Sequence, residues 1–433
     1  MSSHPNIFLN KKILIYGLGK SGLSTFKFLK NKSEVFLYDD FKSNFKTKTI
    51  KKNFINLKKI LNLKFDLIIL SPGIDINKCR LSKFLKKNQN KIYSDLDVFY
   101  AFYKNNCITI TGTNGKSTTC QLLYEVLFNH KFDVKLAGNI GVPILSVKNI
   151  KKKTLFIIEA SSYQLDYSKI FKSKIAVILN LSPDHLERHI NIKNYLKAKF
   201  KLLISQSKGY LAFVKKKDPL IKKEIKSNKF NSKIIEVDTQ KVEKILKYID
   251  NNYFFSETNK ENLSFVFEIV ENLNLKKKIF IKTIKKFKGL KYRQQVISNQ
   301  NNLTIINDSK STSFSSSIDI LKSNSNVYWL LGGVPKKGDK FNLSKKYCDK
   351  IKAFVYGKNR YFFNKKLRGK IKYENFVNLK DALKKVFIFV KKEKSKKRTI
   401  LFSPCAASFD SFKNFEDRGF YFNKLVKKYL NGI

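Results

Sequence analysis

The chain has 433 residues, too many for one hydrophobic core, and 42% of them are apolar, enough for two to four packed domains. Its formal net charge of +55 invites a nucleic-acid reading, yet the charge is almost all lysine spread through every segment, with Arg only at 80, 188, 293, 360, 368, 398 and 418. No apolar run approaches the roughly 20 residues of a membrane span, no apolar segment follows a basic start, and five scattered cysteines (79, 107, 120, 348, 405) fit a reducing compartment. A cytoplasmic protein is therefore expected, with no membrane insertion and no nucleic-acid partner; its basic field would draw in anionic small molecules.

Residues 12–16 predict a strand, followed by Gly17-Leu18-Gly19-Lys20-Ser21-Gly22, a helix through 29 and a second strand at 34–38 that ends in Asp39-Asp40. Glycines spaced G-x-G-x-x-G after a strand, with an acid about 20 residues on, fit a dinucleotide or any nucleotide held at a first β–α turn. A strand at 65–70 runs into Ser71-Pro72-Gly73-Ile74. The acids of Ser94-Asp95-Leu96-Asp97 read equally as helix caps or as site residues.

The next segment opens on Cys107-Ile108-Thr109-Ile110-Thr111-Gly112-Thr113-Asn114-Gly115-Lys116-Ser117-Thr118-Thr119, then an apolar-periodic helix over 121–128. Strand, glycine loop, Lys-Ser/Thr and helix start make a phosphate cradle of crowded backbone N–H groups and a positive helix end. Ile110 stands where the usual longer loop has its first glycine, so this is the shorter Gly112-x-x-Gly115-Lys116-Ser117. Lys116 would reach the outer phosphates and the Ser117 or Thr118 hydroxyl a Mg²⁺ ion; the plainer alternative is a turn that merely ends a strand. Residues 138–143 form a glycine-rich loop that binds a ligand or simply turns. A strand at 154–158 ends at Glu159, placed to hold Mg²⁺. Another at 175–179 leads to Asp184-His185 in a loop with two of the four histidines, and His185 is read as functional. On a helix at 194–205, Lys199 has Tyr195, Leu196, Leu202 and Leu203 on its own face. It either snorkels from the edge of that stripe or is a buried amine, whose neutral form can add CO₂ and become an anionic metal ligand.

A third segment begins near 288. Strands at 304–306, 327–331 and 399–402 each end in a polar, small-residue loop: Asn307-Asp308-Ser309-Lys310, Gly332-Gly333 with Lys336, and Ser403-Pro404-Cys405-Ala406-Ala407-Ser408. A closing helix runs from Phe415 toward residue 430. The expected architecture is α/β in three domains: Rossmann-like at 1–104, a P-loop ATPase-like doubly wound sheet at 105–287, and a second Rossmann-like domain at 288–433.

Together these loops resemble the Mur ligase family of ATP-dependent amide ligases of peptidoglycan synthesis. Residues 111–118 and Asp184-His185 carry the likeness, and the tail from Ser403 through Ala407-Ser408-Phe409-Asp410 to Phe412-Lys413-Asn414-Phe415-Glu416-Asp417-Arg418-Gly419 points to the D-glutamate-adding branch. The resemblance implies a monomer that binds UDP-N-acetylmuramoyl-L-alanine through its first domain, ATP and Mg²⁺ through its second and D-glutamate through its third. It implies that Gly19, Lys20, Ser21, Asp39, Asp40 and Ser71 hold the UDP end and that Asn139 contacts the UDP-sugar. It places Gly112, Thr113, Asn114, Gly115, Lys116, Ser117, Thr118, Thr119, Asn262, Arg293 and Asp308 on ATP. Ser117, Glu159, His185 and a carbamylated Lys199 would organise the metal, with Lys116, His185 and Lys199 the catalytic set. Lys310, Thr312, Lys336, Ser408 and Phe415 would line the D-glutamate pocket. Lys291-Tyr292 departs from the family's usual Pro-His, as does Thr258 from its His. A nicotinamide dehydrogenase is the rival that uses residues 17–22, but it leaves the phosphate loop without a role. A nucleic-acid-stimulated ATPase is the rival that uses the charge, and another ligase of the same family is the nearer one.

Overall fold

The computed structural model describes residues 6–41, 48–249, 251–336, 338–392 and 396–430. They form three sheets. The first holds β1 (Lys12–Tyr16), β2 (Glu34–Tyr38), β3 (Leu67–Leu70) and β4 (Ile92–Tyr93) in the order β2-β1-β3-β4, all parallel. The second holds β5 (Cys107–Thr111), β6 (Val134–Gly138), β7 (Leu155–Glu159), β8 (Ile175–Ile178), β9 (Leu211–Lys215) and β10 (Lys233–Val237) in the order β10-β9-β8-β5-β7-β6, again parallel. The third holds β11 (Gln295–Gln300), β12 (Leu303–Asn307), β13 (Val327–Gly332), β14 (Ile351–Tyr356), β15 (Lys372–Phe376) and β16 (Arg398–Phe402) in the order β11-β12-β16-β13-β14-β15. There only β11 runs antiparallel, against β12.

Central parallel strands are covered on both faces, so they read as continuous apolar runs rather than alternations. Every residue of β5, β8 and β13 is buried. The predicted strands are all present, with ends displaced by one or two residues. The helix expected at 121–128 is Lys116–Asn129, starting on the phosphate loop itself, and the closing helix is Phe415–Leu430. The departures are edge strands such as β10 and β15, which are mostly half-buried or exposed and lack a long apolar run.

The chain divides into two compact units. One comprises residues 1–242 and 264–283 and carries the first two sheets; the other comprises 243–263 and 284–433 and carries the third. Residues 243–263, within the expected middle segment 105–287, belong to the unit of the third sheet. In the first unit one apolar cluster runs from Ile13 and Ile15 through Phe99 to Phe156 and Ile158, with the rings of Phe99 and Phe156 4.8 Å apart. In the second unit the third sheet has a core on each face, one around Trp329 and one around Phe402.

Asp97 ties the first two sheets together. One carboxylate oxygen accepts from the backbone N–H groups of Lys169, Ile170 and Phe171 at 2.8–3.0 Å and from Ser168 Oγ at 2.9 Å. The other accepts from Ser94 N at 2.9 Å and Ser94 Oγ at 3.1 Å, closing a capping box on the helix Asp95–Phe102. Asp97→Ala would leave these buried donors without an acceptor, so unfolding stability should fall by roughly 3 kcal/mol or more, read as a lower denaturant midpoint.

Candidate active site

In parallel α/β sheets ligand loops gather at the carboxyl ends of the strands, and the loops that the sequence marks lie at such ends in each sheet. In the first, Gly17 turns at φ +94°, and a Cβ on Gly22 would stand 1.9 Å from Gly17 O, so the turn packs too closely for any side chain. Ser71 Oγ donates to that carbonyl at 2.5 Å, and Leu18 N donates to Asp39 Oδ2 at 2.6 Å. Asp40 accepts from Tyr16 Oη at 2.7 Å and keeps its other oxygen buried without a hydrogen bond. Ser21 Oγ donates at 2.5 Å to Asp95, whose burial raises its pKa. Gly19 and Lys20 lie exposed at the turn.

In the second sheet β5 lies between β7 and β8, so the loops after those three strands meet. Gly112 has φ +150° and its Cα packs against Leu179 and Asn180, where a Cβ would stand 3.1 Å from Leu179 Cβ. The loop is held from the side by Asn180: Thr113 N donates to its carbonyl at 2.8 Å and Asn114 N to its Oδ1 at 2.9 Å. Gly115, at φ +83°, caps the helix that carries the buried Ser117, Thr118 and Thr119. Lys116 Nζ donates to Gly112 O and Thr113 O, both at 2.8 Å.

Lys199 does not snorkel: it is 2% exposed and also reaches Gly112 O, at 2.8 Å, with Thr111 Oγ1 at 3.2 Å. Burial, then the Lys116 charge, drive its pKa far down, while Asp184 and Glu159 act the other way. Glu159 is 2% exposed; Oε1 accepts from Asn139 Nδ2 at 2.7 Å, and Oε2 is buried with no hydrogen-bond partner. Asn139 thus orients Glu159, and it is itself held by Asn139 N donating to Glu159 O at 2.9 Å. His185 sits at φ +53° with Nε2 3.3 Å from Asp184 Oδ2 and Nδ1 3.5 Å from Glu187 Oε1. The second histidine, His189, is buried on Ser162 Oγ at 2.9 Å, and desolvation lowers its pKa. Among the described residues no group of three His, Cys, Asp or Glu side chains gathers tightly enough to hold a metal by itself.

In the third sheet the loops after β12, β13 and β16 adjoin. Val334 and Ala407 exchange backbone hydrogen bonds at 2.9 Å, which brings the Lys336 loop beside buried Ser408. The Phe415 ring lies under two cations, Lys310 at 4.3 Å and Arg293 at 5.9 Å. Thr312 is exposed, and Asn262 is buried next to Asn259, 3.5 Å away. Asp308 accepts from Gln294 N at 3.1 Å and Ser403 Oγ at 3.0 Å; burial raises its pKa to about 7, against the pull of Arg293 and Arg418. Arg418 belongs to the tail motif, but no role was read from the sequence. It is 1% exposed, and its guanidinium ties Ser309 O (2.7 Å), Ala406 O (2.9 Å) and Gly332 O (3.5 Å), joining all three loops. Its signal was a lone Arg on a lysine-rich closing helix.

Parallel sheets with ligand loops on their carboxyl edges, the middle one bearing a phosphate loop with two lysines, define a nucleotide-binding α/β enzyme. The Mur ligase middle domain matches residues 110–282, and the Mur ligase MurD-like N-terminal domain matches residues 11–92. The chain is 34% identical to UDP-N-acetylmuramoylalanine--D-glutamate ligase of Rickettsia felis, covering 100% of both. It is 35% identical to the ligase of that name from Buchnera aphidicola subsp. Schizaphis graminum, covering 97% of this chain and 99% of that one. Among solved structures it shares the fold of a MurF ligase from Thermotoga maritima in complex with ADP, with TM-score 0.58, 14% identity and 99% and 97% of the two chains covered. MurC from the same organism gives TM-score 0.55 at 15% identity over 98% and 100%. The chain belongs to the Mur ligase family.

Asp308 makes the third sheet's site sensitive to pH. Its folded pKa of about 7 lies above its ordinary 3.8, so the folded state binds the extra proton between those values. Stability should therefore fall as pH rises from 4 to 7 and level off above, by up to roughly 4 kcal/mol from this group. Asp308→Asn should flatten that slope in thermal melts taken across the range.

Proposed function

We propose that this chain uses ATP to join D-glutamate to UDP-N-acetylmuramoyl-L-alanine, in the cytoplasm, as a step of peptidoglycan precursor synthesis. The observation that carries the reading is the convergence of Lys116 and buried Lys199 on the Gly112 carbonyl, with Glu159 close enough to act on the Lys199 charge. Identity of 34–35% along the whole chain to ligases of that name supports the choice of substrates. A dehydrogenase or a nucleic-acid ATPase gives no role to the third sheet's loops.

In this reading Gly19, Lys20, Ser21, Asp39, Asp40 and Ser71 receive the UDP end, and Asn139 lies toward the sugar. Residues 112–119 cradle the ATP phosphates, with Asn262, Arg293 and Asp308 as further nucleotide contacts. Lys310, Thr312, Lys336, Ser408 and Phe415 take D-glutamate, whose two carboxylates suit a pocket with two lysines.

A magnesium ion fits the residues present. Glu159 Oε2 is a hard, anionic donor, buried and unbonded, as Mg²⁺ prefers. Burial favours the neutral form of the Lys199 amine, the form that adds CO₂ to give a carbamate with two more oxygen donors. Ser117 and His185 would complete the set. Bound there, the ion would withdraw charge from phosphate oxygens.

The L-alanine carboxylate attacks the γ-phosphorus of ATP, ADP departs, and an acyl phosphate remains. Two anions must approach each other, and Lys116 supplies the cation that permits it. The D-glutamate amine then attacks the acyl carbon, phosphate leaves with its bonding pair, and the amide remains after proton loss.

The decisive assay is phosphate release from ATP with UDP-N-acetylmuramoyl-L-alanine and a panel of amino acids: release with D-glutamate alone is expected, and release with a different amino acid would replace this substrate. Lys116→Ala should cut turnover by roughly 10³-fold or more at saturating substrates; undiminished ADP formation would dismiss the phosphate assignment. Lys199→Ala should be inactive and partly recovered by added acetate, which replaces the missing carboxylate oxygens. Failure of any short carboxylate to restore turnover would count against the carbamate.

A further inference from the structure

The helix Ser162–Tyr167 begins just past Glu159 and is gripped at both ends by loops of the first sheet. At its start Gln164 Nε2 donates to Asp95 Oδ1 at 3.2 Å, and Asp95 in turn accepts from Ser21 in the 17–22 turn. At its end Tyr167 Oη donates to Ile74 O at 2.7 Å, in the loop that opens with Ser71. A single side chain clamps this second junction. The Arg188 guanidinium donates to both Ile74 O and Tyr167 Oη, and its Nε lies 3.8 Å from Asp75 Oδ1. It also covers the rings of Tyr163 at 4.8 Å and Tyr167 at 5.5 Å. Lys78 Nζ reinforces the contact by donating to Glu187 O at 3.0 Å. Arg188 belongs to the one-turn helix Leu186–His189, three residues after His185, whose ring lies 5.0 Å from that of Tyr163.

We propose that Arg188 is a positioning residue that locks the loop carrying Ser71 to the turn carrying His185, so that seating the uridine-diphosphate end and ordering the phosphoryl-transfer site are coupled. The inference rests on the ligase reading above and extends it to a residue outside the reacting groups. The hydrogen-bond chain is directional and complete. Tyr167 spends its proton on Ile74 O and accepts from Arg188, while Ile74 O uses both lone pairs. The guanidinium fork serves two acceptors, an acid and two ring faces at once, whereas a lysine ammonium offers one point charge with no plane to stack. That explains an arginine here in a chain whose other cations are overwhelmingly lysine.

The test uses the full chain with three variants, Arg188→Lys, Asp75→Asn and the double. Uridine diphosphate is titrated calorimetrically, and phosphate release is measured with varied UDP-N-acetylmuramoyl-L-alanine and with varied ATP. Arg188→Lys should weaken uridine diphosphate binding and raise the KM of the UDP-sugar by roughly tenfold, lower kcat several-fold and leave the KM of ATP within about twofold. Asp75→Asn should show a smaller change of the same kind, and the double variant should be no worse than Arg188→Lys. A folded Arg188→Lys protein with unchanged uridine diphosphate affinity and kcat would overturn the proposal. So would additive effects in the double variant, or an equal loss of both nucleotides that tracks a fall in melting temperature. If the unaltered protein releases no phosphate, the ligase reading fails instead, and the uridine diphosphate titration still decides the role of Arg188.

Discussion

Two lysine side chains share one backbone carbonyl. Lys116 and Lys199 both donate to Gly112 O at 2.8 Å, in a chain that already carries a net charge of +55. Two full charges at that spacing repel strongly in a buried setting. Burial of Lys199, at 2% exposure, and then the Lys116 charge beside it favour its neutral amine. The same burial that disfavours the charge sets the amine within electrostatic reach of the acids Asp184 and Glu159. A phosphate loop with one cation and one neutral amine differs in chemistry from one with two cations, because only the neutral amine can become a carboxylate-like ligand.

The rest of the central site follows from keeping that pair in place. Gly112 presents its carbonyl to both lysines at φ +150°, a conformation that side chains resist, and its missing Cβ lets β8's loop close in. Asn180 grips the loop from outside by accepting from Thr113 N and Asn114 N. Glu159 is aimed by Asn139, and Asn139 can approach because Gly138 has no side chain: a Cβ there would meet Glu159 O at 2.4 Å. Gly112 and Gly138 thus mark places where two strands' loops come into direct contact.

The elements legible in the sequence were those whose cause is local. Apolar runs ended by glycine or polar, small-residue loops marked β5, β7, β8, β12, β13 and β16, and the four apolar neighbours of Lys199 made burial one of its two readings, the one the structure bears out. Asp97 was legible only as half of a cap, because its other four donors arrive from residues 168–171, some 70 positions later. The membership of residues 243–263 in the third sheet's unit was equally hidden, since it depends on contacts such as Thr258 Oγ1 to Asp319 Oδ2 at 2.8 Å. Sequence spacing reports which strand a loop ends, and it says nothing of which loops then touch.

The seven arginines carry information that the lysines do not. Four hold backbone carbonyl oxygens: Arg188 on Ile74, Arg360 on Phe376, Arg398 on Val390 and Asn301, and Arg418 on Ser309, Ala406 and Gly332. A fixed planar fork can bridge several chain segments with little loss of freedom per bond, which a flexible ammonium cannot do. In a composition pushed so far toward lysine, these four arginines mark points where geometry as well as charge is used. Arg188 and Arg418 each stand at such a point, the first between the loops of the two sheets in one unit and the second among the three loops of the other. In the proposed reaction the acting groups are lysines and carboxylates, and Arg188 and Arg418 tie together the loops that carry them.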